Sequence, residues 1–154
     1  MAKLIDIVGQ FTQRDWNGPA IRVAILASDR PNAFVLASGH LYATQGLFDV
    51  VCTDDELAAV VAHELAHLDD LRSFSELNLT PAERLEIEAR ADAVALGMLV
   101  SAGYPGSALT DMVNRLANEQ PEGWAQRRCE DLTALLNPTL DAEVVFAQSS
   151  MIDE

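Results

Sequence analysis

Residues 53–70 read TDDELAAVVAHELAHLDD, and this stretch combines a capped helix start with two closely spaced histidines. Thr53 followed three residues later by Glu56 is a capping box, which predicts a helix that starts here and runs to about Asp70. His63 and His67 lie four residues apart, so both imidazoles lie on one face of that helix. The pattern predicts that both can bind one metal ion, with bonds of about 2.0–2.1 Å.

Glu64 completes an HExxH motif, which is typical of zinc hydrolases. A carboxylate beside the metal can accept a proton from a zinc-activated water and pass it to a leaving amine. The alternative is a surface helix that carries His and Glu for solubility. The apolar character of the helix disfavours this alternative, because ionisable groups in apolar surroundings need partners. Its apolar residues are Leu57, Ala58, Val60, Val61, Ala62, Leu65 and Leu68.

A third metal ligand is expected, since catalytic zinc usually has three protein ligands and one open position. Glu88 and Asp92 lie four residues apart in a second helical segment, with small alanines around them. If the two helices pack together, Glu88 can bind the metal while Asp92 orients a ligand imidazole from behind. The alternative for this segment is a solvated face of charged pairs, and His40 is expected to be an ordinary rim residue.

The order of the predicted elements indicates an α+β fold, with a small three-stranded sheet followed by helices. A second capping box, from Thr80 to Glu83, starts the glutamate-bearing helix, which is predicted to end near Gly103. The linker before it is 72–79. The remaining predicted elements are a helix at Ala2–Thr12, strands at Ile21–Ala27, Ala33–Ala37 and His40–Ala43, and helices at Gln45–Val51, Ser107–Glu119 and Gly123–Leu136.

Length and composition predict a single domain over residues 1–154, with 49% hydrophobic and 22% charged residues. We expect no membrane partner, because the longest nearly apolar run, 91–104, is too short to span a bilayer. Two cysteines without a CxxC spacing, and no export signal at the N-terminus, favour a reduced, cytoplasmic compartment. A net charge of -14 argues against a nucleic-acid partner and suits cationic partners, although acidity for solubility explains it equally well.

Several ordered motifs together resemble one family of zinc peptidases. They are Asn32-Ala33-Phe34, residues 39–47, residues 56–64 leading into HExxH, and Glu88 to Asp92. The combination is similar to the soluble core of HtpX-like and CAAX-prenyl-protease-type metallopeptidases, which are gluzincins. Without membrane spans the chain resembles a minigluzincin, a minimal soluble form of that core with a zincin-like fold.

The resemblance implies a zinc endopeptidase that acts on peptide or protein substrates. His63, His67 and Glu88 would bind Zn²⁺, Glu64 would be the general base and acid, and Asp92 would support a ligand. By the same resemblance, Asn32, Ala33 and Phe34 would bind an extended substrate backbone along a strand edge.

One departure from the family pattern lies downstream. Many relatives have a His-Pro pair followed by an arginine, whereas this chain has Gln120-Pro121 with Arg127 or Arg128. Arg127 could stabilise a developing oxyanion in that role. The alternative to this role is that Arg127 is an ordinary surface charge.

Two other functions compete with an active peptidase. One is a metal-binding interaction module that has lost efficient proteolysis, which the missing downstream histidine favours. The other is a regulator-cleaving HExxH peptidase of the phage-repressor-associated type, which the Asn32-Ala33-Phe34 strand disfavours. A further hypothesis places the C-terminal tail, residues 138–154, over the cleft, with a surface-packed terminus as its alternative.

Overall fold

A computed structural model describes residues 1–13, 16–73, 79–117 and 124–136, apart from the side chains of 69–73 and 124. These residues form an α+β fold, as expected. In chain order the elements are α1 (Ala2–Thr12), β1 (Arg22–Leu26), β2 (Ala33–Val35), β3 (His40–Thr44), α2 (Gln45–Val50), α3 (Asp54–Ser73), α4 (Pro81–Ala102), α5 (Ser107–Leu116) and α6 (Trp124–Leu136). The proposed tail over the cleft, residues 138–154, lies outside the described residues.

The three strands form one sheet in the order β1-β3-β2, so that β3 lies between two edge strands. β1 runs parallel to β3, and β2 runs antiparallel to it. A tight turn joins β2 to β3, in which the Gly39 N–H donates to the Leu36 carbonyl at 2.8 Å. Gly39 has φ +84°, which suits glycine at the end of such a hairpin turn.

The outer edge of β2 is defined by its pairing with β3. The Thr44 N–H donates to the Asn32 carbonyl and the Leu36 N–H donates to the His40 carbonyl, both at 2.9 Å. Backbone groups alternate in direction along an antiparallel strand, so the residues between these pairs point away from β3. Ala33 and Val35 therefore present their N–H and C=O groups at the free edge, next to α3, against which β2 packs.

Both predicted capping boxes are present and fix the starts of α3 and α4. The Thr53 hydroxyl accepts from the Glu56 N–H at 3.1 Å, and the Glu56 carboxylate accepts from the Thr53 N–H at 3.3 Å. Thr80 and Glu83 make the same reciprocal bonds, with Pro81 in the first helical position. These caps satisfy N–H groups that a helix start leaves without intrahelical partners.

Small side chains let α3 and α4 approach closely in the core. Ala58, Ala62 and Ala95 are fully buried, and Ala91 is 1% exposed. The leucines and valines of α3 pack on the other helices and on the sheet. This packing holds the inward faces of α3 and α4 against each other, as the alanines around Glu88 and Asp92 suggested.

Several predicted boundaries are wrong by a few residues. β2 ends at Val35 rather than Ala37, because the chain turns at Leu36. α3 extends to Ser73, beyond the predicted end at Asp70, since no glycine or proline interrupts it. α5 is described to Leu116, and the rest of its predicted span lies partly outside the described residues. Within the described ranges, no helix is both long and apolar enough to cross a membrane.

Candidate metal centre

Two helices bring the candidate site residues together. α3 supplies His63, Glu64 and His67 from two successive turns, while α4 supplies Glu88 and Asp92 from facing turns. His63 is 7% exposed and Asp92 only 2% exposed, whereas His67 and Glu88 are partly accessible. The accessible side of the cluster is therefore formed by His67 and Glu88, and the buried side by Asp92.

The spacing of the donor atoms of His63, His67 and Glu88 fits a tetrahedral metal ion. The two histidine Nε2 atoms are 3.0 Å apart, and the Glu88 carboxylate oxygens lie 3.4 Å from His63 Nε2 and 3.5 Å from His67 Nε2. Ligands bonded at about 2.0–2.1 Å at tetrahedral angles are about 3.3 Å from one another. Among the described residues this is a group of three donors that could hold a metal ion. The three donor spacings are therefore compatible with one bound metal ion.

Asp92 lies behind His63, on the side away from the predicted metal. Its Oδ1 is 3.0 Å from His63 Nδ1, so the imidazole can donate to the carboxylate while Nε2 faces Glu88 and His67. Burial lowers the pKa of His63, but the hydrogen bonds with Asp92 and Glu88 outweigh burial and raise it to about 9. A carboxylate in this position fixes the tautomer and orientation of a metal-binding imidazole.

The carboxylates of Glu88 and Asp92 stay ionised despite their burial. Burial raises the pKa of Asp92, but hydrogen bonds from His63 and Arg128 lower it further, below its ordinary value. Burial likewise raises the pKa of Glu88. The hydrogen bond from His63 and the charges of Arg128 and His67 outweigh burial, so the pKa of Glu88 is lowered. Glu88 is therefore in the charged form that metal binding requires.

Glu64 lies next to the ligand cluster, and its carboxyl group contacts the sheet edge. Burial raises the pKa of Glu64 to about 7, Glu88 adds to the rise, and His63 and Arg128 oppose it. The backbone N–H of Val35, at the free edge of β2, also donates to this carboxyl group and favours its charged form. A group with a pKa near neutrality can both accept and return a proton at physiological pH.

Arg128 enters the same cluster from α6, with only 4% of its surface exposed. Its Nε donates to Asp92 Oδ2 at 2.8 Å and its Nη2 donates to Asp92 Oδ1. Nη1 lies 3.2 Å from Glu88 Oε2, and Nη2 lies 3.3 Å from His63 Nδ1. One guanidinium therefore contacts the carboxylates of both Glu88 and Asp92.

The other predicted site residues lie elsewhere. Arg127 is exposed on α6, and its proposed action at an oxyanion stays a prediction. Gln120 lies outside the described residues. His40 is on β3, where Nδ1 lies 2.9 Å from the Ser38 hydroxyl, away from the three donors. Asn32 and Phe34 direct backbone groups to β3, so only Ala33 of the predicted substrate residues has a free backbone edge.

Two residues differ from the sequence prediction: Arg128, rather than Arg127, is the arginine of the cluster, and Val35 is the second residue of the free edge. A periodicity in α6 could have identified Arg128: Ala125, Arg128, Cys129, Leu132 and Leu136 follow helical spacing, and all are at least partly buried. Arg127 does not lie on that stripe. For Val35, the alternation of backbone direction depends on the strand register, which the sequence did not reveal.

Comparison with known proteins connects this site to a family. Residues 7–77 match the model of peptidase family M48. The chain is 39% identical over 70 residues to the "Protease HtpX homolog" of Salinibacter ruber, covering 43% of this chain and 25% of that protein. It is 38% identical over 69 residues to the "Protease HtpX homolog" of Sulfurovum sp., covering 42% and 24% respectively.

A third relative is the "Mitochondrial metalloendopeptidase OMA1" of Schizosaccharomyces pombe, with 36% identity over 58 residues, 38% of this chain and 17% of that protein. The chain spans a quarter or less of the length of these relatives. The matches confirm the resemblance to the core of HtpX-like metallopeptidases. The family match includes the HExxH motif but ends before α4, so Glu88 and Asp92 join the site through geometry alone.

Proposed function

We propose that this chain is a soluble, zinc-dependent endopeptidase of the gluzincin type, and that residues 1–154 form one zincin-like domain. The observation that carries the proposal is the triangle of donor atoms from His63, His67 and Glu88, with edges of 3.0–3.5 Å and Glu64 beside it. The match of residues 7–77 to peptidase family M48 supports the reaction class.

Bound Zn²⁺ would polarise the scissile carbonyl and lower the pKa of the attacking water. Glu64 takes the proton of that water and later gives it to the leaving nitrogen, a role that suits its pKa of about 7. Asp92 holds His63 in one tautomer by accepting from Nδ1, which leaves Nε2 for the metal. His67 and Glu88 complete the set of ligands.

The substrate is an extended peptide or protein segment that pairs with the free edge of β2. Ala33 and Val35 offer backbone donors and acceptors there, as an added strand requires. Asn32 and Phe34 contribute through side chains, and Phe34 stacks on Tyr42 with ring centroids 5.0 Å apart. The Val35 N–H that contacts Glu64 links this edge to the catalytic carboxylate.

The proposed setting is the cytoplasm, without a membrane or nucleic-acid partner. Cys52 and Cys129 are free thiols, which suits a reducing compartment. The net charge of -14 disfavours binding to polyanions such as nucleic acid.

The proposal is tested by measuring zinc content and cleavage of unfolded casein for the wild-type chain and for Glu64→Gln. Glutamine keeps the size of the side chain but cannot accept the proton, so we expect equal zinc content and cleavage reduced by about 10²-fold or more. His63→Ala should lose both zinc and cleavage. Circular dichroism establishes that the variants are folded.

Equal cleavage by wild type and Glu64→Gln would contradict the role of Glu64. Wild-type protein that binds one zinc ion and cleaves nothing would instead favour the metal-binding interaction module. A folded wild-type chain that takes up no zinc would contradict the proposed metal site itself.

A further inference from the structure

We infer that Arg128 is a positioning residue of the metal centre: its guanidinium holds Asp92 against His63 and fixes Glu88 beside the histidine pair. This inference rests on the proposed metal site and extends it to α6. Arg128 acts through these carboxylates and need not touch metal or substrate.

The contacts of Arg128 with Asp92 leave that carboxylate little freedom. Nε and Nη2 each donate to a different oxygen of Asp92, so the planar guanidinium sets the plane of the carboxylate. Oδ1, which accepts from Nη2, is also the oxygen 3.0 Å from His63 Nδ1. The rotation of the His63 ring is therefore controlled through a chain of two hydrogen-bonded contacts that starts at Arg128.

The third donor of the guanidinium reaches the metal ligand on the same helix. Nη1 lies 3.2 Å from Glu88 Oε2, the oxygen that is also 3.4 Å from His63 Nε2. Two carboxylates one helical turn apart thus share one cation from α6. The planar guanidinium has several donors in fixed directions and can bond to both carboxylates at once. The single ammonium group of a lysine lacks this geometry.

The charge of the cluster explains why a cation is needed there. Glu88 and Asp92 each form an ion pair with Arg128 in a largely buried site, and removing one partner of a buried ion pair leaves an uncompensated charge. Arg128 is itself buried, so its charge also depends on these carboxylates. The arrangement keeps the ligands close to their metal-binding positions before a metal arrives.

The test measures Zn²⁺ affinity, with a competing chelator, for the wild type, Arg128→Met and Arg128→Lys. Supporting groups behind metal ligands usually contribute 10–100-fold to metal affinity. We expect a loss of that size for Arg128→Met and a smaller loss for Arg128→Lys, which keeps the charge without the fork. The visible spectrum of bound Co²⁺ should also change in Arg128→Met, because the ligand geometry relaxes.

Arg127→Met is the matched control for these metal-binding measurements, since it removes the exposed arginine one position away. We expect its Zn²⁺ affinity and Co²⁺ spectrum to equal those of the wild type. A double-mutant cycle separates positioning from general packing: in an Asp92→Asn background, Arg128→Met should lower the affinity by a smaller factor than in the wild-type background, and the remaining loss reflects its contact with Glu88.

A second readout needs no metal. In the metal-free protein, the His63 Nδ1 proton bonded to Asp92 should give a slowly exchanging, downfield proton resonance. We expect Arg128→Met to lose this resonance and Arg127→Met to keep it. If Arg128→Met does not fold, Arg128→Lys is judged in its place, with a weakened resonance and reduced affinity expected.

The inference would be overturned if folded Arg128→Met protein kept the wild-type Zn²⁺ affinity, Co²⁺ spectrum and proton resonance. If Arg128→Met does not fold, the same outcome for Arg128→Lys would overturn it. Peptide cleavage does not enter this test, so an inactive wild type that binds zinc would contradict the endopeptidase proposal alone. A wild type that binds no zinc would contradict the metal site, and the proton resonance would still decide whether Arg128 positions His63.

Discussion

At the scale of a single residue, the Glu56 side chain connects the start of α3 to α5. One carboxylate oxygen accepts from the Cys52 N–H at 2.6 Å and the Thr53 N–H at 3.3 Å, and the other accepts from Arg115 Nε at 3.0 Å. Burial raises the pKa of Glu56, but these donors together lower it below its ordinary value. The ionised form is therefore the one that stabilises the fold.

Glu56→Gln should lower the free energy of unfolding by about 1–2 kcal/mol at neutral pH, the range expected for a helix-capping contact. Because the folded-state pKa is lowered, the carboxylate contributes fully above its unfolded-state pKa of about 4.3, and the contribution disappears as pH falls through the folded-state value. The difference between wild type and variant should therefore shrink below about pH 4. Urea unfolding of metal-free protein from pH 7 to pH 3 measures it.

Glu86→Gln, at an exposed position of α4, is the matched control and should change stability by less than about 0.5 kcal/mol. A Glu56→Gln effect that is constant across the pH range would contradict the role given to its charge.

The predicted site residues that the structure brings together share a local signature. The spacing of His63 and His67 depends only on helix geometry, and Glu88 with Asp92 repeats that spacing one helix later. Arg128 could not be assigned in the same way, because its role depends on how α6 packs against α4. The helical spacing of α6 separates Arg128 from Arg127, and the burial of Arg128 agrees with it, but neither gives the contacts with Asp92 and Glu88.

At the scale of elements, the β2–β3 turn depends on one glycine. Gly39 has φ +84°, and a Cβ atom there would lie 2.6 Å from the Ala20 carbonyl oxygen. An L-residue would therefore meet both backbone strain and a steric clash. The turn fixes the register of β2, and with it the outward position of Ala33 and Val35.

Gly39→Ala should lower the free energy of unfolding by at least about 1–2 kcal/mol, because alanine is disfavoured at positive φ. Gly97→Ala is the matched control: Gly97 lies in α4, and a Cβ atom there meets nothing within 4 Å. That change should stabilise the protein by about 0.5–1 kcal/mol through better helix propensity. Thermal or urea unfolding of both variants measures these changes. If both substitutions changed the free energy of unfolding in the same direction, this account would be contradicted.

Helix starts were easier to predict than strand ends, for a physical reason. The side chains of Thr53 and Thr80 bond to backbone groups three residues later, so the capping box that predicts each helix start is contained in four residues. The end of β2 depends instead on where the chain leaves β3, which is a relation between two strands. The three-residue length of β2 therefore came only from the structure.

At the scale of the whole molecule, the sequence predicted the fold class but not the arrangement of the elements. Strands before helices indicated α+β, and the alanines around Glu88 and Asp92 permitted the close approach of α3 and α4 that the structure has. The central place of β3 in the sheet was not predicted, since strand order depends on long-range pairing. That order places β2 at the edge beside α3.

The strand order β1-β3-β2 also has a consequence for the folding pathway. β2 and β3 pair residues as few as six apart, such as Val35 and Leu41, whereas β1 pairs with β3 at a separation of 18 residues, as in Arg22 and His40. Closing the longer loop costs about 1 kcal/mol more chain entropy. We expect the hairpin to form first and β1 to join it later, so that β1 is also the first strand to detach.

Native-state hydrogen exchange in low denaturant can follow this order, because each amide reports the free energy of the opening that exposes it. Amides of β1 that bond to β3, together with the Arg22 amide that bonds to the Gly39 carbonyl just before β3, should exchange at lower opening free energy than those between β2 and β3. Equal values in all three strands would mean that the sheet opens as one unit. With the expected order, the strand edge nearest the metal centre would persist in partly unfolded molecules that have already lost β1.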